Sequence, residues 1–130
     1  MFSSTLFIEN PMQNPVKNRY CLFLDLQDDP EKIALYEAYH RQVWPEILKS
    51  IQDAGIVQME IYRAGNRLCM IMEVDDTFSF ERKQAMDDKN PVVQSWEKLM
   101  DGFQQRLPFA REGEKWVLGN KIFDLQSQLS

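Results

Sequence analysis

Residues 56–63 and 67–74 are two runs of β-favouring side chains separated only by Ala64-Gly65-Asn66. A link that short admits an antiparallel hairpin and nothing else, because parallel strands need a crossover of a dozen residues or more. Both runs alternate. On the first, Met59 and Ile61 share one face while Glu60 and Tyr62 share the other. On the second, Leu68, Met70, Met72 and Val74 oppose Arg67, Cys69, Ile71 and Glu73. Residues 19–26 repeat the pattern, with Tyr20, Leu22, Leu24 and Leu26 on a strongly apolar face and Arg19, Cys21, Phe23 and Asp25 on a mixed one. Period-two alternation of this kind marks a sheet with one face against a core.

Helical signals fill the gaps. Asp28-Asp29-Pro30-Glu31 is a strong helix start, an Asp cap followed by Pro at the first helical position and an acid in the first turn. Pro45 forbids an unbroken helix, so the spacing predicts a break near residues 41–44 and a second piece over 45–53, ended by Gly55. Residues 78–88 read as a short amphipathic helix, Asn90-Pro91 interrupts it, and Val92, Trp96, Leu99 and Phe103 carry helical spacing over 92–103. Residues 104–114 read as a loop with Pro108 and Gly113, and 116–125 as a last strand, bulged at Gly119. The order β-α-β-β-α-β is an α+β, ferredoxin-like arrangement, an antiparallel sheet with helices on one face. Its other face would lack a cover; an apolar sheet face is rarely left in water, so a second subunit is the natural lid.

The 130 residues form one domain. We place it over residues 19–126, with a flexible N-terminal extension at 1–18, where Pro11 and Pro15 fall in polar surroundings, and a short tail at 127–130. A net charge of −5 without a basic stripe argues against nucleic acid and against an anionic membrane surface. No apolar run approaches a membrane span, and the opening residues lack the charged and apolar regions of a secretory signal. Cys21 and Cys69 fall in strand patterns where a free thiol packs as a small hydrophobe. One histidine and two separated cysteines make no metal or haem signature, so neither metal nor cofactor is expected. The expected compartment is cytoplasmic.

Chemistry concentrates in residues 36–46, YEAYHRQVWPE, which hold the only histidine of the chain. His40 lies four residues after Tyr36, so on a helix the two side chains stack, and Ile33, Val43 and Ile47 continue that face inward. An imidazole beside a phenol on an inward face is the composition of a general acid/base site in a small pocket. A buried histidine is also often only a satisfied core residue. Trp96, read from spacing alone, is a core helix residue, and Glu60 an exposed strand acid.

The run Tyr36-x-x-x-His40 followed by Val43-Trp44-Pro45-Glu46 resembles the signature of the L-rhamnose mutarotase family. The likeness extends from about Arg19 to Leu125, through Ala54-Gly55 and the block from Val93 to Met100. It implies a small cofactor-free isomerase that interconverts the α and β anomers of a 6-deoxyhexose. It also implies a homodimer joined through the sheet face as a dimeric α/β barrel. By the same resemblance His40 is the proton donor, Tyr36 contacts the sugar, and Trp96 lines the sugar site. Two positions depart from the rhamnose-type pattern: Met59 stands where a substrate-contacting tyrosine is usual, and Glu97 where a second tryptophan is. Together with MEIYRAGNRLCMIME and the closing EKWV and IFDL, they resemble the L-fucose branch. Glu60 is a candidate second carboxylate for sugar hydroxyls or proton transfer, and Tyr62 shares its strand face. Two other readings stay open: a cofactor-free monooxygenase of the dimeric α/β-barrel type, with a large apolar pocket, and a non-catalytic sugar-binding dimer.

Overall fold

The computed structural model of the chain describes residues 15–129, so most of the extension read over 1–18 lies outside the described residues. Strand β1 (Asn18–Leu26) enters the centre of the sheet and is followed by α1 (Pro30–Arg41) and α2 (Pro45–Asp53). The hairpin is β2 (Ile56–Ala64) and β3 (Arg67–Val74), and α3 (Phe80–Asp88) and α4 (Pro91–Asp101) follow. Short strands β4 (Gln104–Gln105) and β5 (Val117–Leu118) and a terminal helix α5 (Leu125–Leu129) complete the chain. The order across the sheet is β2-β3-β1-β4, with β5 also against β1, and every pairing is antiparallel. This is the expected ferredoxin-like α+β architecture. Among the described residues no helix is long and apolar enough to cross a membrane.

The caps are built as their residue types require. The Asp29 side chain accepts from the backbone N–H groups of Glu31 and Lys32, Ser79 accepts from Arg82, and Asn90 accepts from Val92 and Val93. The break between α1 and α2 falls where Pro45 demands it: Trp44 takes φ −55° and ψ 135°, the extended conformation forced on a residue before proline. Gly55 ends the second piece at φ +96°, where a Cβ would lie 2.5 Å from Thr77 Oγ1 and 2.7 Å from Asp75 Oδ1. Only glycine fits there.

Alternation sorts the sheet into two faces. Leu22, Leu24, Leu26, Leu68, Met72 and Val74 are buried under the helices. Two apolar clusters result. One joins Leu26, Tyr36, Ile47, Leu68, Val93, Trp96 and Met100; the other joins Leu22, Ala54, Ile56, Met72 and Val74. The opposite face carries the registered rows Arg19–Glu73–Gln58, Cys21–Ile71–Glu60 and Phe23–Cys69–Tyr62. Cys21 and Cys69 are free thiols there, half-buried, with sulfurs 3.2 Å apart, rather than in the core under the helices. Burial pushes the Cys69 thiol up to about 11, helped by the neighbouring Cys21.

The last edge differs from expectation. Instead of one strand over 116–125, the edge is split into β4 and β5, which meet β1 at Asp25–Leu26 and Leu22–Phe23, with residues 106–116 looping out between them. The polar Gln104–Gln105 pair, expected in a loop, is held because the chain leaving α4 passes directly beside the free edge of β1. Gly119 is where the edge strand stops. Its N–H donates to Cys21 O at 2.7 Å, and a Cβ would meet Phe23 Cε2 at 2.8 Å. The sheet's register irregularity lies in β2, between Ile56 and Gln58.

Candidate active site

His40 sits on the last turn of α1, one residue before the helix ends. Its Nδ1 lies 2.8 Å from Tyr36 O. A carbonyl oxygen only accepts, so Nδ1 carries the hydrogen and donates it. The other ring nitrogen, Nε2, therefore holds the lone pair when the ring is neutral and the exchangeable second proton when it is charged. The ring is packed between Tyr36, with centroids 4.3 Å apart, and Trp96, nearly edge-on at 5.6 Å. Trp96 is braced in turn by Tyr39 and Trp44. Helix geometry supplies the first neighbour and α4 the second, so one rotamer of the imidazole is held from two sides.

A cleft of about 250 Å³ opens at this ring. Tyr36 and His40 border it, Ile61 and Leu68 form its apolar base, and Glu37, Arg41 and Arg63 supply charge. Arg63 Nε donates to Glu37 Oε2 across the cleft from β2 to α1, and its guanidinium also reaches Gly65 O at 2.7 Å. Tyr36 is only 4% exposed. Its burial pushes the phenol up to about 12, a hydrogen bond from Gln104 works the other way, and the charge of Glu97 adds to the rise. The phenol is therefore a proton-bearing donor throughout the neutral range.

Of the residues singled out in the sequence, His40, Tyr36 and Trp96 come together. Met59 shares the helix-covered side of the sheet but packs against the second apolar cluster. Glu60 and Tyr62 do not join them. They alternate with Met59 and Ile61 along β2, so the sheet stands between them and His40. Tyr62 is 56% exposed and donates to Glu60 Oε1 at 3.3 Å, and Glu60 lines a separate depression with Arg19, Gln58, Ile71 and Glu73. The carboxylate on the His40 cleft is Glu37. Its signal was available, since it follows Tyr36 directly, and Arg63 lies two residues after Ile61 on the same strand face. Gln104 carried no such signal, because its strand was not foreseen.

Glu97 is anchored elsewhere. Lys115 Nζ lies 2.8 Å from Glu97 Oε1 and 2.7 Å from Asp101 Oδ1, tying the end of the 106–116 excursion to α4. Partial burial works against the ammonium, but the two carboxylates outweigh it and raise its pKa. Trp116, next in sequence, packs against both apolar clusters.

Comparison with known proteins gives four consistent findings. The L-rhamnose mutarotase family matches residues 19–125. An L-fucose mutarotase of Xanthomonas campestris pv. campestris is 46% identical over 114 residues, 86% of this chain and 91% of that protein. In fold, an L-rhamnose mutarotase from Formosa agariphila superposes with a TM-score of 0.61 at 20% identity, covering 83% of this chain and 98% of that one. A dimeric ferredoxin-like protein from an uncultured marine organism superposes with a TM-score of 0.51 at 15% identity, covering 88% and 96%.

Proposed function

This chain belongs to the L-rhamnose mutarotase family and is a sugar mutarotase, an isomerase; from that premise we propose that it interconverts the α and β anomers of L-fucose, with His40 as its proton donor. One observation carries the assignment of the chemistry: the Nδ1–H bond of His40 to Tyr36 O, at the wall of a small cleft, reserves Nε2 for the substrate. Nε2 gives its proton to the sugar's ring oxygen as the bond from that oxygen to C1 breaks, and the anomeric hydroxyl loses its proton to water in the open cleft. The aldehyde turns about its bond to C2, and closure runs the same transfers backwards. A single positioned acid of this kind accelerates such a step by about 10²–10⁴-fold. Tyr36, kept protonated, donates a hydrogen bond to the sugar, and Trp96 holds the imidazole in line. The cleft volume lies just below the range usual for drug-sized ligands, which suits a monosaccharide better than a large aromatic substrate.

The preference for L-fucose draws on the 46% identity to the Xanthomonas enzyme. The assembly we propose is a homodimer through the sheet face that carries Phe23, Ile71 and Tyr62, where Glu60 and Tyr62 become interface residues. Saturation-transfer NMR on the anomeric protons of L-fucose and L-rhamnose tests the function directly. Catalytic amounts of wild-type protein should speed exchange of L-fucose more than of L-rhamnose, and His40→Ala should remove the effect. Exchange no faster than in buffer for either sugar would defeat the assignment.

A further inference from the structure

Against the Tyr36 hydroxyl lies a half-buried polar side chain whose amide oxygen is closed to water. Gln104 stands on β4, and its Nε2 approaches the Tyr36 hydroxyl at 3.4 Å. Its Oε1 is closed to water and has no hydrogen-bond partner among the described residues. A buried amide oxygen left so is costly, and an apolar side chain of similar size would remove the cost. The backbone does not require glutamine here, since β4 pairs with β1 through main-chain groups alone.

The orientation of the amide follows from its inventory. With Nε2 toward the phenol, the unmet group is one carbonyl oxygen. Reversed, the unmet group would be an NH₂ carrying two donors, and buried orphan N–H groups are much the rarer case. With the N–H on the phenol oxygen, Tyr36 cannot spend its own hydrogen on Gln104. Phe103 and His40 meet the ring through aromatic contacts rather than through hydrogen bonds to the hydroxyl. The hydroxyl hydrogen is left for the cleft that Tyr36 borders.

We propose that Gln104 is a positioning residue: its amide occupies the acceptor side of the Tyr36 hydroxyl and so directs the phenol hydrogen to the sugar. The kinetic part of this proposal rests on the mutarotase reading, whereas its hydrogen-bond part does not. Glutamate at 104 would reverse the polarity, drawing the phenol hydrogen away from the cleft, and leucine would leave the phenol undirected.

The test uses the full-length protein labelled with ¹³Cζ-tyrosine, the Tyr36 resonance being assigned by its loss in Tyr36→Phe. If Gln104 donates to the phenol oxygen, it favours the phenolate, so Tyr36 begins to titrate at higher pH in Gln104→Leu than in wild type, and higher again in Gln104→Glu. An onset shifted downward in Gln104→Leu would mean that Gln104 accepts the hydrogen, and it would overturn the proposal whatever the enzyme does. In anomer exchange, Tyr36→Phe should lower kcat/KM by about tenfold, the scale of one lost transition-state hydrogen bond. Gln104→Leu should lower it by less, and the double variant should be no worse than Tyr36→Phe alone. Losses that multiply in the double variant would show that Gln104 acts independently of Tyr36 and defeat the proposal. A wild type without mutarotase activity would refute the kinetic part together with the function, leaving the titration to decide the hydrogen bond. Gln104→Leu should melt no lower than wild type, so a loss of activity is not a loss of fold; should it fail to fold, Gln104→Glu carries both arms.

Discussion

Replacing Tyr36 by phenylalanine should make the protein more resistant to alkali. Tyr36 is 4% exposed, and burial raises its phenol from 10.0 to about 12. Between those values the unfolded chain releases the phenolic proton while the folded protein keeps it. The unfolded state then binds fewer protons, so stability falls as pH rises, beginning near the unfolded value and ending above the folded one. At roughly 1.4 kcal/mol per unit, the rise of two units corresponds to about 3 kcal/mol lost between pH 10 and 12. Below pH 9 this contribution is fully present, and the exchange to phenylalanine removes only a long hydrogen bond, so the two proteins should agree within about 1 kcal/mol. Cys69 and Lys115 also carry raised values and pull the same way at high pH. Both are common to the two proteins and cancel in the difference. The assay is urea unfolding followed by far-UV circular dichroism at fixed protein concentration, at pH 8, 9, 10 and 11. Wild type should lose stability relative to Tyr36→Phe from pH 10 upward. A constant difference across that range would refute the argument that Tyr36 remains protonated by burial.

Other expectations can be checked with single substitutions. Gly55→Ala should cost about 2–4 kcal/mol, since it adds backbone strain at φ +96° to a clash with Thr77 and Asp75; a melting point unchanged from wild type would contradict the close packing there. On the proposed assembly, wild type should sediment as a dimer and Ile71→Lys, in the middle of the sheet face away from the helices, as a monomer; a variant that stays dimeric would place the interface elsewhere. Arg63→Met frees Glu37 and removes charge from the cleft without touching His40, so KM for the sugar should rise more than kcat falls; the opposite split would place Arg63 in the chemical step.

The helices and hairpin were legible because their signals are local. Asp29-Pro30, Asn90-Pro91 and the proline at 45 each act through backbone chemistry within a few residues, and each lands within a residue or two of its element's end. The face assignment of β1, of β3 and of β2 from Met59 onward follows from alternation alone; it breaks at the bulge, where Ile56 and Gln58, two residues apart, pair with Val74 and Glu73 on opposite faces. The final edge was not legible. Residues 116–125 alternate weakly, and what decides their pairing is how far the excursion at 106–116 carries the chain from β1 before Gly119 returns to Cys21. The same alternation that built the sheet also separates Glu60 from the histidine. A strand acid adjacent in sequence to a core-facing residue is thereby on the wrong side of the sheet to share a pocket with it. Gln104 was hidden for the reason the edge was.

Reaction and substrate are legible to different degrees for a physical reason. The mechanism we propose needs one oriented proton donor, and a helix turn can supply it: Tyr36 and His40 are four residues apart, and the carbonyl of the first fixes the ring of the second. L-fucose and L-rhamnose differ in the configuration of ring hydroxyls, and discrimination between them must come from hydrogen-bonding groups, because apolar contacts distinguish such isomers poorly. Met59 offers no such group and faces the second apolar cluster. Glu97 has its carboxylate committed to Lys115 at 2.8 Å. Neither of the two positions that depart from the rhamnose-type pattern thus brings a free polar group to the cleft. In the site we propose, the groups that remain to read the sugar are those of the cleft: Glu37 and Arg63, held to each other, with Arg41 and Tyr36. Glu37 and Arg63 come from different elements, α1 and β2, so their spacing depends on how the broken helix packs on the hairpin. On that proposal, selectivity follows from this packing rather than from any one substituted residue.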